Sequence, residues 1–104
     1  MGYAPKEYIE RAGEWLLEQL QFKNPIISGD IFEKSDSRAI GESLGIPEDY
    51  EFVTMVECAA MQLEDAGIVT MKRLPELVCD AASHEIFFHW QKLGNKPQFV
   101  GMDL

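Results

Sequence analysis

Phe52, Val53, Val56, Ala59, Ala60 and Leu63 recur at the 3.6-residue spacing of a helix, and the run closes at Gly67. An apolar stripe of this length must be buried, so the chain needs a second apolar element to receive it. Pro47-Glu48-Asp49 sets acids ahead of the stripe, where the positive end of a helix dipole favours them. Gly67 suits a left-handed cap, with Ile68 free to fold back on the last turn. These features predict a helix over residues 48–66.

A second apolar stripe lies nearer the start of the sequence. Tyr8, Ile9, Ala12, Leu16 and Leu20 share one helical face, which Trp15 and Leu17 widen. Pro5 fits a first helical position, where its missing N–H would be unpaired anyway. A helix over 5–22 follows, with Glu7 and Arg11 spaced to pair on its wet side. Asn24-Pro25 interrupts it, because a residue before proline is pushed out of the helical region. Ile26-Ile27 reads as a short extended segment, and two short helices are expected over 29–34 and 37–44, the second stopped by Gly45.

Beyond Gly67 the β-branched run Ile68-Val69-Thr70-Met71-Lys72 predicts a strand. The segment after it admits two readings. In one, His84 to Trp90 is a second strand with Ile86, Phe88 and Trp90 on one face, preceded by a short helix over 75–82. In the other, Pro75 to Leu93 is a long helix ending at Gly94. The first is preferred, because a helix would put Phe87 and Phe88 on different sides. The Gly- and Pro-containing end from residue 95 to 104 reads as a tail behind a single domain over 1–94.

The stretch Val53-Thr54-Met55-Val56-Glu57-Cys58-Ala59-Ala60-Met61-Gln62-Leu63-Glu64-Asp65-Ala66-Gly67-Ile68-Val69, above all its close from Leu63, resembles the recognition helix of a winged-helix domain. Ala39-Ile40-Gly41-Glu42-Ser43-Leu44-Gly45-Ile46 resembles the helix before it. The resemblance implies a mainly α (α+β) fold, with helices about 5–22, 29–34, 37–44 and 48–66 and a β-hairpin wing over 68–73 and 84–90. It also implies a helix-turn-helix that reads DNA. Reading guanine or adenine edges requires Arg, Lys, Asn or Gln on the recognition helix. Here the matching helix offers acids, one amide at Gln62 and no cation.

That departure belongs to a wider pattern. From Ala39 to Met71 there is no Lys or Arg, while Glu42, Glu48, Asp49, Glu51, Glu57, Glu64 and Asp65 fall in the same stretch. The whole chain carries 18 Asp and Glu against 9 Lys and Arg, a formal charge of −9 that opposes binding a polyanion. Lys72 and Arg73, in the would-be wing, are the nearest positive pair.

No constellation reaches the specificity of a catalytic or metal motif. His84-Glu85-Ile86-Phe87-Phe88-His89 is near a zinc-protease helix, but its histidines are five apart rather than four, which splays them around a helix. Cys58 and Cys79 are too few for a structural zinc site, and Cys58 beside Ala59-Ala60 reads as a packed thiol. No EF-hand loop or phosphate-binding glycine loop is present, so no cofactor is expected. No apolar run approaches the roughly 20 residues of a membrane-spanning helix, and the N-terminus lacks a signal-peptide core. A cytoplasmic protein is the expectation.

The sequence therefore predicts a small acidic interaction module, a regulator or inhibitor docking on a basic surface of a partner protein, with DNA mimicry as a special case. Glu48, Asp49, Glu51, Glu57, Glu64 and Asp65 carry the charge, and Phe87, Phe88 and Trp90 are candidate aromatic anchors. A homodimer is a further expectation. The alternative is a DNA-binding regulator using Lys72 and Arg73, helped by Lys23, Lys34 and Arg38. A small enzyme is the weakest reading.

Overall fold

The computed structural model describes residues 2–27, 34–75, 84–91 and 97–103, with residues 34–36, 73–75, 84 and 85 described by backbone alone. Along the chain run β1 (Tyr3–Ala4), α1 (Lys6–Phe22), β2 (Ile26–Ile27), α2 (Lys34–Ser43), α3 (Phe52–Asp65), β3 (Val69–Pro75), β4 (His84–Trp90) and β5 (Met102–Asp103). The class is α+β, as expected.

Helix α1 starts one residue later than its proline predicts, because Pro5 is extended, with φ −64° and ψ 143°. Pro5 is the N-cap residue, and its carbonyl accepts from the Tyr8 and Ile9 amides. Ile9, Ala12, Leu16, Leu17 and Leu20 are buried on the face that meets α3. The Arg11 guanidinium, which the spacing offers to Glu7, is engaged elsewhere. It donates to the Gly45 carbonyl at 3.1 Å and stands 5.7 Å from the centre of the Tyr8 ring.

Both glycine stops form as read. Gly45 and Gly67 have φ of 74° and 76°. At the end of α2 the Gly45 amide donates to Glu42 O and Ile46 to Gly41 O. At the end of α3 Gly67 donates to Glu64 O and Ile68 to Leu63 O. In each case two orphan carbonyls are satisfied and the next isoleucine is folded into the core.

Helix α3 begins later than residue 48. Glu51 is extended, and the chain before it makes a separate turn closed by the Tyr50 amide on Pro47 O. Packing explains the delay. Tyr50 lies against Tyr8 with ring centres 5.1 Å apart, and Phe52 meets Trp15 edge-on at 4.9 Å. These contacts with α1 outweigh the weak local preference of three residues for helix. Helix α2 extends back to Lys34, and the remainder of the helix expected over 29–34 lies outside the described residues.

The second sheet has the order β2-β4-β3, all antiparallel. Strands β3 and β4 pair from Val69 with Trp90 to Pro75 with His84, and β2 joins through Ile26 with Phe88. Residues 84–90 are therefore strand, which overturns the long-helix alternative there; the short helix expected over 75–82 lies outside the described residues except at Pro75, which ends β3. Asn24 stitches α1 to the sheet, its Oδ1 accepting from the Trp90 amide at 2.8 Å.

The C-terminal segment, expected as a tail, is attached over residues 97–103. Phe99 is buried in the core, and β5 pairs with β1 through Tyr3 with Asp103 and Ala4 with Met102. Gln62 of α3 fixes the approach: its amide donates to Val100 O at 2.9 Å and accepts from Val100 N at 3.0 Å.

Candidate functional site

The acids named from the sequence separate into distinct places. Glu48, Asp49 and Glu51 occupy the turn between α2 and α3, facing Glu42 on α2 across a groove of about 580 Å³. The Gly45 cap turns the chain out of α2, and buried Ile46 pins the turn to the core. Tyr50 and Phe52 then anchor its far end on α1. The result is a groove with apolar surface from Ile46, Tyr50 and Phe52 and four carboxylates around it. Arg38 of α2 also lines it, its Nε 3.5 Å from Glu48 Oε1. Both side chains are about two-thirds exposed, at 64% and 69%, so the pair is worth at most about 1 kcal/mol.

Glu64 and Asp65 lie in the last turn of α3, about 20 Å from Glu51 by helical rise. Glu64 has a structural task, since its Oε2 accepts from the Met71 amide at 3.2 Å and ties α3 to β3. Glu57 is half-buried midway along the helix. The six acids therefore do not make one face: three cluster at the groove, and three lie along and beyond the middle of α3.

The aromatic anchor needs correction. Phe88 is fully buried and belongs to the core, because it faces the helices from the central strand. Phe87 and Trp90 are half-buried. Phe87 stacks on His89 across the other face of β4, with ring centres 6.4 Å apart. Strong exposure belongs instead to Tyr3, Phe22, Met61 and Val100, none of which periodicity singled out as a surface.

Of the cations in the DNA-binding alternative, Lys72 is exposed on β3, while the Arg73 side chain lies outside the described residues. Arg38 sits at the acidic groove rather than with Lys72. Glu42 and Tyr50 are among the groove residues that the sequence did not assign to a site. Their signal was the glycine stop between them, which dictates that the chain turns there.

Cys58 is a buried free thiol, its pKa pushed up first by burial and then by the neighbouring Glu57 carboxylate. Such a thiol is protonated at neutral pH and a poor nucleophile. Cys79 lies outside the described residues. His84 to Trp90 being strand, the helical arrangement of a zinc-protease motif does not form there. Among the described residues, no three His, Cys, Asp or Glu side chains are grouped so as to hold a metal ion, and no helix is long and apolar enough to cross a membrane. Compared with protein-family models, curated proteins and solved structures, the chain matches none.

Proposed function

We propose that this chain is a winged-helix-like domain that works as an acidic protein-interaction module, a regulator or inhibitor that docks on a basic surface of a partner. The winged-helix reading is supported by connectivity. A short strand between the first two helices pairs with the last strand of a hairpin, giving the order β2-β4-β3.

The observation that carries the interaction reading is the leading end of α3. In DNA-reading relatives of this architecture, the N-terminal residues of that helix meet base edges with donor groups. Here the approach to α3 is the turn over residues 44–51, bearing Glu48, Asp49 and Glu51 with exposed side chains. Carboxylates at this end repel phosphates and cannot donate to bases. The same charges attract a cationic surface and speed its encounter.

Titration of labelled random duplex and of a labelled lysine- and arginine-rich peptide at low salt tests the reading. The expected result is no duplex binding at tens of micromolar protein, with peptide binding that weakens as salt rises. Duplex binding that weakens steeply as salt rises overturns it in favour of a DNA-binding regulator acting through Lys72 and its neighbours. Binding to neither ligand removes both readings.

A further inference from the structure

We propose that the groove between α2 and the 44–51 turn is a binding site for arginine side chains of a basic partner segment, and that Arg38 holds one of its carboxylates until the partner arrives. The inference rests on the interaction reading above and locates it at one place.

Three features support the assignment. The first is shape and charge together. A groove of about 580 Å³ lies within the size range of sites that take side chains and small ligands. Its apolar surface, from Ile46, Tyr50 and Phe52, suits the methylene stem of a long cation. Glu42, Glu48, Asp49 and Glu51 surround it, against the single cation Arg38 among its described lining residues. The net charge of the site is strongly negative, so its complement is a segment rich in positive charge.

The second is that a guanidinium already stands there. Arg38 Nε lies 3.5 Å from Glu48 Oε1, so the rim carboxylate is within reach of the group proposed to dock on it. Because both partners are largely exposed, exchanging Arg38 for an incoming arginine costs little.

The third is the preference for arginine over lysine. The planar guanidinium donates two hydrogen bonds to a carboxylate in one plane and stacks on aromatic rings, whereas the ammonium group is a strongly hydrated point charge. Tyr50 puts an aromatic ring among the acids. The tyrosine packed on it, Tyr8, already carries the Arg11 guanidinium.

The test is fluorescence anisotropy with a short fluorescein-labelled peptide of alternating arginine and leucine. Companion peptides carry lysine or citrulline in place of arginine. The arginine peptide is expected to bind the wild-type chain more tightly than the lysine peptide, and the citrulline peptide is expected not to bind. The double variant E48Q/E51Q should weaken binding about ten-fold, corresponding to roughly 1.4 kcal/mol. A charge-matched control on α1, E7Q/E18Q, should weaken it far less. R38Q should tighten binding about two- to five-fold, the scale of one exposed ion pair. K72Q removes the same charge away from the groove and should not match that gain. Circular dichroism on each variant checks that the fold is kept.

Loss of binding in E64Q/D65N but not in E48Q/E51Q overturns the groove assignment and leaves the interaction reading standing. Equal affinity for arginine and lysine peptides overturns the arginine preference, and an unchanged or weaker R38Q overturns the role of Arg38. If neither cationic peptide binds the wild-type chain, the interaction reading itself falls.

Discussion

A β-carbon built on Gly13 would stand 2.7 Å from Cζ of Phe99 and 3.1 Å from the β-carbon of Ala59. The bare backbone of α1 is thus the seat of a ring that arrives from the far end of the chain. It also lets α1 approach α3 closely. Helix propensity alone would favour alanine at this position by about 1 kcal/mol.

G13A is nevertheless expected to destabilise the domain. The Phe99 ring is buried and pinned by its neighbours, so overpacking costs about 1–3 kcal/mol and exceeds the propensity gain. F99A should cost about 3–5 kcal/mol alone. The double variant should be less unstable than the two effects added, because the clash disappears with the ring. Urea denaturation of the four proteins measures the coupling, and strict additivity would show that Gly13 and Phe99 do not constrain each other.

Gln62 should govern the attachment of residues 97–103. Q62L removes both hydrogen bonds to Val100 while keeping much of the side-chain volume, and Q62E keeps the acceptor but loses the donor to Val100 O. Each lost bond is worth about 0.5–1.5 kcal/mol. Hydrogen exchange at the Val100 amide should accelerate in Q62L and less in Q62E, where that amide retains its acceptor. Equal protection in all three proteins would show that the segment is held without Gln62.

Phe88 and Phe87 are neighbours in sequence and opposites in consequence. F88A empties a fully buried site and should cost about 3–5 kcal/mol, whereas F87A touches the half-buried outer face and should cost far less. Thermal melts separate them. A soluble, stable F88A protein would contradict the core assignment.

The Cys58 thiol should resist alkylation. Burial raises its pKa, so the folded state holds the neutral form to higher pH than the unfolded chain does. The linked stability is fully present below the unfolded thiol pKa and declines as pH rises through the folded one. In a C79S background, iodoacetamide at pH 8 should label native protein slowly and urea-unfolded protein fast. Equal rates would place Cys58 at the surface.

Periodicity carried most of the fold. The stripes on α1 and α3 are long enough for their apolar faces to be read directly, and Gly45 and Gly67 mark ends that local geometry enforces. The start of α3 was not legible, because the Tyr50–Tyr8 and Phe52–Trp15 contacts that delay it join residues far apart in sequence. The same holds for the attached C-terminus. Nothing local in Phe99 or Val100 announces a seat on Gly13 or a pair of bonds to Gln62. For the candidate site, sequence supplied the charges but not their grouping. Glu51 and Glu64 are both acids of one cation-free stretch, yet they stand at opposite ends of a helix.

The pairing of Tyr3–Ala4 with Met102–Asp103 holds the first and last described strands side by side. A covalent join across those strands would tie together what the fold already holds adjacent, and a new opening elsewhere would leave the order of packing intact. It follows that a perturbation at either strand is felt at the other. Cutting away residues 97–103 does not merely shorten the chain, because it also strips Tyr3 and Ala4 of their only described strand partner and uncovers Gly13 at the helix crossing.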